Sequence, residues 1–125
     1  MLHRSKEQRY YFDRIFPQGS NTETVFKNTC EGLITSVIEG YNGCVFAYGT
    51  TGSGKTYTMA GTLEEPGIMF LIIKGMFEKI QNVTDKKFEI KVTFVEIYNE
   101  VIRDLLVQNS KDTYLDLRDD PEKGI

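Results

Sequence analysis

The run CVFAYGTTGSGKTYTM, residues 44–59, decides the fold of this chain. Its first part, residues 44–48, is continuously apolar and of strand length, which is typical of a central strand covered on both faces. Its second part has the spacing G-x-x-x-x-G-K-T, in which two glycines precede Lys55 and Thr56. This spacing is the P-loop pattern. We therefore predict a strand, a glycine-rich loop and a helix that begins at Lys55.

The P-loop pattern predicts a phosphate-binding site. Phosphate oxygens must come close to backbone N–H groups, and side chains at the glycine positions would obstruct them. The helix that follows directs its unpaired N–H groups and the positive end of its dipole at the phosphates. Lys55 would reach the β- and γ-phosphates as a point charge, and the Thr56 hydroxyl would be a magnesium ligand. A flexible glycine-rich loop with an incidental lysine is the alternative, which the flanking strand and helix disfavour.

The predicted ligand is ATP or ADP with Mg²⁺. Tyr57 could pack on the nucleotide base or be an ordinary core aromatic residue, and the sequence favours neither. The predicted binding residues are Gly49, Thr50, Thr51, Gly52, Ser53, Gly54, Lys55, Thr56 and Tyr57, with Thr56 as the metal ligand.

Hydrolysis needs a further carboxylate that completes the magnesium shell and a group that positions water. Glu96 follows the apolar run 92–95 and superficially resembles the end of a Walker B strand, with glutamate in place of the usual aspartate. We favour the other interpretation, a structural carboxylate that bonds to nearby backbone or to a basic partner. The sequence therefore identifies no convincing catalytic residue in this chain.

Helical periodicity dominates the residues on either side of the P-loop. Ser20 and Glu23 have the spacing of a capping box, and apolar residues behind them predict one helix over residues 21–39 that Gly40 ends. A second apolar stripe, residues 69–80, predicts a helix with Pro66 in its first turn.

Short strands are predicted nearer the two ends of the chain. Alternation predicts a half-buried strand over residues 88–94, and its phase breaks from Val95 onward. Residues 101–106 suggest one or two helical turns, residues 114–118 a strand, and residues 119–124 its turn. The aromatic segment 10–16 predicts a strand or an extended arm.

Composition and charge exclude several classes of protein. The chain has 125 residues, which allows one domain at most. Its net charge of −3 offers no basic field for nucleic acid or an anionic membrane. Its longest apolar run, residues 68–73, is too short to span a bilayer, and its polar start is not a signal peptide. Cys30 and Cys44 form no disulfide framework or metal spacing, so we predict two buried thiols in a reducing compartment. A single histidine, His3, excludes a histidine dyad.

Three stretches of the sequence resemble signatures of kinesin motor domains. The run 40–59 resembles the kinesin nucleotide loop, FVEIYNEVIRDLL at residues 94–106 is similar to a second signature, and YFDRIF at residues 11–16 resembles a third. They occur in the family's order and together span most of the chain. Thr50, where most kinesins carry glutamine, and residues 117–124 lean towards the kinesin-8 subfamily.

The resemblance implies a fold, a ligand and a partner. The fold class would be α/β, the P-loop NTPase fold of kinesin motors, a three-layer sheet with helices on both faces that is incomplete in this chain. Residues 1–125 would be a partial motor domain. The family's first strand, with its adenine motif, would precede Tyr10, and both switch motifs and the main microtubule-binding elements would follow Ile125. In kinesins the glutamate at the Glu96 position belongs to a structural strand.

The implied activity is ATP hydrolysis coupled to movement along, or action on, microtubules. We expect a microtubule-stimulated ATPase when the domain is complete and an inactive protein when the 125-residue chain stands alone. The expected partner is tubulin, bound through parts outside this chain, in the cytoplasm and cytoskeleton, with no nucleic acid and no membrane. The resemblance leaves open a dimer formed through a coiled coil that is not in this chain. Two alternatives remain, a non-hydrolysing kinesin-like binding module and a P-loop ATPase or GTPase unrelated to motors.

Overall fold

The computed structural model describes residues 8–108 and 114–118. The chain divides after Lys86 into two compact units, the first helical and the second built on a three-stranded antiparallel sheet. No described helix is both long and apolar enough to cross a membrane. The helices are α1 (Thr22–Thr29), α2 (Glu31–Glu39), α3 (Lys55–Met59) and α4 (Ile68–Ile80), and the strands are β1 (Val95–Tyr98), β2 (Val101–Asp104) and β3 (Tyr114–Leu115).

The first unit has a small core between α1, α2 and α4. Its buried apolar side chains are Phe26, Cys30, Ile34 and Ile68. Partly buried apolar residues pack around them, namely Val25, Ile38, Val45, Met59, Leu71, Ile72 and Met76. The helical periodicity that predicted this core is therefore confirmed, and so is the burial of Cys30. The prediction for Cys44 is wrong, because its side chain is exposed.

The predicted helix over residues 21–39 is broken at Cys30 into α1 and α2. Thr29 Oγ1 donates a hydrogen bond to Val25 O at 2.7 Å, and Asn28 Nδ2 donates to Thr24 O at 2.7 Å. Polar side chains that bond back to the preceding turn compete with the helical ladder and bend the helix. The break therefore has a local cause that apolar periodicity does not register.

Of the two sequence predictions for the ends of these helices, the one for the start of α1 is wrong and the one for the end of α2 is confirmed. Asn21, not Ser20, caps α1, since its side chain accepts from Thr24 N at 2.8 Å, while Ser20 Oγ donates to Pro17 O at 2.8 Å. The predicted capping box is therefore wrong. At the other end Gly40 is left-handed, with φ +108°, and closes α2 as predicted.

The apolar run 44–48 does not form the predicted central strand. It pairs with no strand among the described residues, and the side chains of Phe46 and Tyr48 are 80% and 95% exposed. A strand needs neighbours that take up its backbone hydrogen bonds, and the described part of the first unit contains none. Residues 10–16 also form no strand and are mostly exposed.

The second unit is built on a tight hairpin. β1 pairs antiparallel with β2, which in turn pairs with β3. Asn99 and Glu100 form the two-residue turn with φ +50° and +62°, which suits the twist of a hairpin. The strand predicted over residues 88–94 instead begins at Val95, and the helical turns predicted over residues 101–106 are wrong. Tyr114–Leu115 confirms the start of the strand predicted there, and the turn predicted at 119–124 lies outside the described residues.

Candidate nucleotide-binding site

The glycine-rich loop, residues 49–54, has a backbone that requires glycine at two positions. Gly52 and Gly54 have φ of +81° and +88°, the left-handed region that side chains with a Cβ rarely adopt. A Cβ at either position would meet no atom within 4 Å, so backbone conformation, not crowding, is the constraint. A Cβ at Gly49 would lie 2.6 Å from Ser53 Oγ, so the Ser53 hydroxyl would have to rotate away to make room for it.

Helix α3 begins at Lys55, as the P-loop pattern predicts. Gly54 is its N-cap, and Gly54 O accepts from Thr58 N at 2.9 Å. The first N–H groups of a helix have no acceptor within the helix. Among the described residues, the N–H groups of Lys55 and Thr56 have no acceptor in the loop either. The loop and helix thus present free backbone donors where the pattern predicts a phosphate.

The Lys55 side chain lies folded over the loop. Its Nζ donates to Gly49 O at 2.9 Å and to Thr50 O at 2.8 Å, and the residue is half-buried. An ammonium group has three N–H donors, so these two bonds leave one for a further acceptor. The positive charge is therefore fixed against the loop before any anion arrives.

The next two residues of α3 have exposed side chains. Thr56, the second residue of the helix, is exposed to solvent. Tyr57 is 50% exposed, so of the two alternatives for this residue the ordinary core aromatic does not agree with the structure. Its hydroxyl donates a hydrogen bond to a carboxylate oxygen of Glu65, and this bond raises the pKa of the Tyr57 phenol. Sequence analysis missed Glu65, since a partner eight residues away across a turn has no periodic signal.

Glu96 belongs to the sheet of the second unit. It lies opposite Arg103 in the β1–β2 register, and Arg103 Nη1 donates to Glu96 Oε2 at 3.3 Å. The preferred interpretation, a structural carboxylate with a basic partner, is confirmed. Within residues 8–108 and 114–118, no three His, Cys, Asp or Glu side chains are grouped so that they could hold a metal ion.

Comparison with known proteins decides the family. The model of the kinesin motor domain matches residues 2–125. This chain belongs to the kinesin motor domain family. The fold agrees with this assignment. A solved structure of a KIF14 dimer in a two-heads-bound state, with AMP-PNP and in complex with a microtubule, is similar to this chain with a TM-score of 0.70 and 38% identity. It covers 90% of this chain and 32% of the KIF14 chain.

Relatives in sequence place the chain within the kinesins. Kinesin-like protein KIF19 from Xenopus laevis is 49% identical over 98% of this chain, and kinesin-like protein KIN-8B from Arabidopsis thaliana is 46% identical over 98%. These matches agree with the leaning towards kinesin-8. The chain spans 12% and 15% of the lengths of these two kinesins.

The family resolves the fold class. The α/β P-loop fold of kinesin motors is confirmed by the KIF14 likeness, and the described residues are a part of it. The three-layer sheet with helices on both faces is not formed by the described residues, whose sheet is small and antiparallel.

Proposed function

We propose that this kinesin chain holds the phosphates of ATP or ADP in a motor that acts on microtubules. The observation that carries the proposal is the left-handed glycine loop that runs into Lys55 at the start of α3. Free N–H groups, a fixed ammonium group and the positive end of a helix converge there, and this combination suits a polyphosphate. The AMP-PNP bound to the similar KIF14 supports the same ligand class.

Each residue of the proposed site has a role that its geometry suits. The loop and α3 backbone would donate to phosphate oxygens, and Lys55 would exchange its carbonyl acceptors for the more strongly bonding phosphate. Thr56 would be the protein ligand of Mg²⁺, an ion that keeps several waters and takes other ligands from the phosphates. The proposed residues are Gly49, Thr50, Thr51, Gly52, Ser53, Gly54, Lys55, Thr56 and Tyr57.

We also propose that hydrolysis and microtubule binding depend on residues outside this sequence. The chain has a net charge of −3, which would repel the acidic microtubule surface, so a basic tubulin-facing surface must be supplied elsewhere. The microtubule in the KIF14 complex supports tubulin as the partner. The proposed location is the cytoplasm, on the microtubule cytoskeleton, and the 125-residue chain alone would not hydrolyse ATP at a motor rate.

A titration tests the nucleotide site directly. Calorimetry with Mg·ADP should show that Lys55→Ala weakens binding by about a hundredfold, as expected for the loss of a charged donor. Lys74→Ala is the matched control, because Lys74 is an exposed lysine of the same unit that pairs with Glu78 at 3.9 Å. Equal affinities for the wild type and Lys55→Ala would refute the assignment.

A further inference from the structure

Helix α3 needs support from outside itself. It has five residues, and a helix of that length is not stable in isolation. Its first turn carries Lys55 and Thr56, whose positions decide the geometry of the proposed phosphate site. Its last turn runs into a loop through Ala60 N, which donates to Thr56 O at 2.8 Å. Whatever fixes that loop also fixes the helix.

The loop after α3 is a closed turn, residues 60–67. Gly67 N donates to Ala60 O at 3.0 Å, and Thr62 N donates to Glu65 O at 2.8 Å. Gly61 has φ +72°, and a Cβ there would lie 2.2 Å from both Glu65 O and Gly67 N. The closed turn therefore leaves no room for a side chain at Gly61, and it leads directly into the buried Ile68 of the core.

One side-chain contact ties the helix to this turn. The Tyr57 hydroxyl donates to the Glu65 carboxylate, which lies on the 60–67 turn. Tyr57 comes directly after Thr56, so a fixed Tyr57 sets the rotation of α3 about its axis. That rotation aims the hydroxyl of Thr56 and the first N–H groups of the helix.

We propose that Tyr57 is a positioning residue, which acts through Glu65 to hold α3 in the orientation that binds phosphates. This inference rests on the proposed function of the loop. It differs from a role for Tyr57 in packing on the nucleotide base, because the hydroxyl group and not the ring would increase the affinity for the ligand. It also predicts that Tyr57 increases this affinity whether or not the ligand has a base.

The test uses the protein that carries this sequence and two ligands, Mg·ADP and Mg·tripolyphosphate, which has no base. Tyr57→Phe removes the hydroxyl and keeps the ring. It should weaken the binding of both ligands by the same factor, roughly three- to tenfold, as expected for one exposed hydrogen bond to a charged acceptor. Unchanged affinities would overturn the proposal, and so would weaker binding of Mg·ADP alone, which would assign Tyr57 to the base.

Variants of the acceptor test the same contact from its other side. Glu65→Ala should weaken the binding of both ligands as Tyr57→Phe does. Glu65→Gln should keep most of the affinity, because its amide oxygen still accepts the hydrogen bond from Tyr57. The double variant, Tyr57→Phe with Glu65→Ala, should bind both ligands no more weakly than either single variant. Glu64→Ala, at the neighbouring exposed carboxylate, is the matched control. A loss of thermal stability in Glu65→Ala without a loss of affinity would show a merely structural contact. If the wild type binds neither ligand, the proposed function fails as well; if only Lys55→Ala loses binding, the positioning role alone fails.

Discussion

Glu96 and Arg103 face each other across the β1–β2 hairpin, and their side chains are joined by a hydrogen bond of 3.3 Å. The Arg103 guanidinium also lies over the ring of Tyr114, 6.0 Å from its centre, on the next strand. The carboxylate that most resembles a magnesium ligand in the sequence is thus engaged within its own sheet. Its contribution is to the stability of the hairpin.

Glu96→Gln should therefore leave nucleotide affinity unchanged. The pair is partly exposed, with 30% of the Arg103 side chain and 46% of the Glu96 side chain accessible to solvent, so its loss should lower the free energy of unfolding by about 1 kcal/mol. Calorimetry with Mg·ADP and denaturant unfolding measure the two quantities on the same preparation. A loss of Mg·ADP affinity in a folded Glu96→Gln variant would contradict this prediction and support Glu96 as a magnesium ligand.

Gly61→Ala should be strongly destabilising. The new Cβ would meet Glu65 O and Gly67 N at 2.2 Å in a left-handed backbone, and we expect a loss of about 2–3 kcal/mol in the free energy of unfolding. Gly32→Ala is the matched control, because Gly32 lies in α2 with no atom near its missing Cβ, and alanine there should stabilise by ~0.5 kcal/mol. Similar effects of the two substitutions would contradict the closed geometry of the 60–67 turn.

Thr56→Ala should remove most of the benefit that magnesium brings to nucleotide binding. Without the hydroxyl, the affinity for ADP in the presence of Mg²⁺ should fall by about tenfold, or ~1.4 kcal/mol, while the affinity in EDTA should be unaffected. Thr58→Ala, on the same helix, is the control. An equal loss of affinity with and without Mg²⁺ would argue against Thr56 as the metal ligand.

Local rules predicted the parts of the structure that depend on local backbone. Gly40 ends α2, and Gly54 comes directly before the start of α3 at Lys55. Both glycines have the left-handed backbone that glycine adopts without a steric cost, so each helix boundary is determined by the residues next to it. The pattern of the P-loop belongs to this class. The loop conformation and the position of Lys55 relative to it were therefore predictable from the sequence.

Features that depend on distant or competing partners were not predictable. Residues 44–48 have the composition of a buried strand, yet a strand forms only where other strands pair with it. Residues 101–106 have apolar spacings that fit a helix or a strand, and the turn at Asn99 and Glu100 decides for a strand. The contact of Tyr57 with Glu65 depends on the closed turn at residues 60–67, and the spacing of apolar residues in the sequence does not predict that turn.

The central claim is that this chain is part of a microtubule motor, and co-sedimentation with microtubules tests it most directly. The intact protein should be pelleted with microtubules in the presence of ATP, ADP or AMP-PNP, and phosphate release should be measured with and without microtubules. We predict that the pelleted fraction differs among the three nucleotides and that microtubules accelerate phosphate release, because nucleotide switches order and release segments according to the γ-phosphate. Equal pelleting in all three nucleotides, with no acceleration of phosphate release, would contradict the assignment of this chain to a microtubule motor and favour a non-hydrolysing binding module.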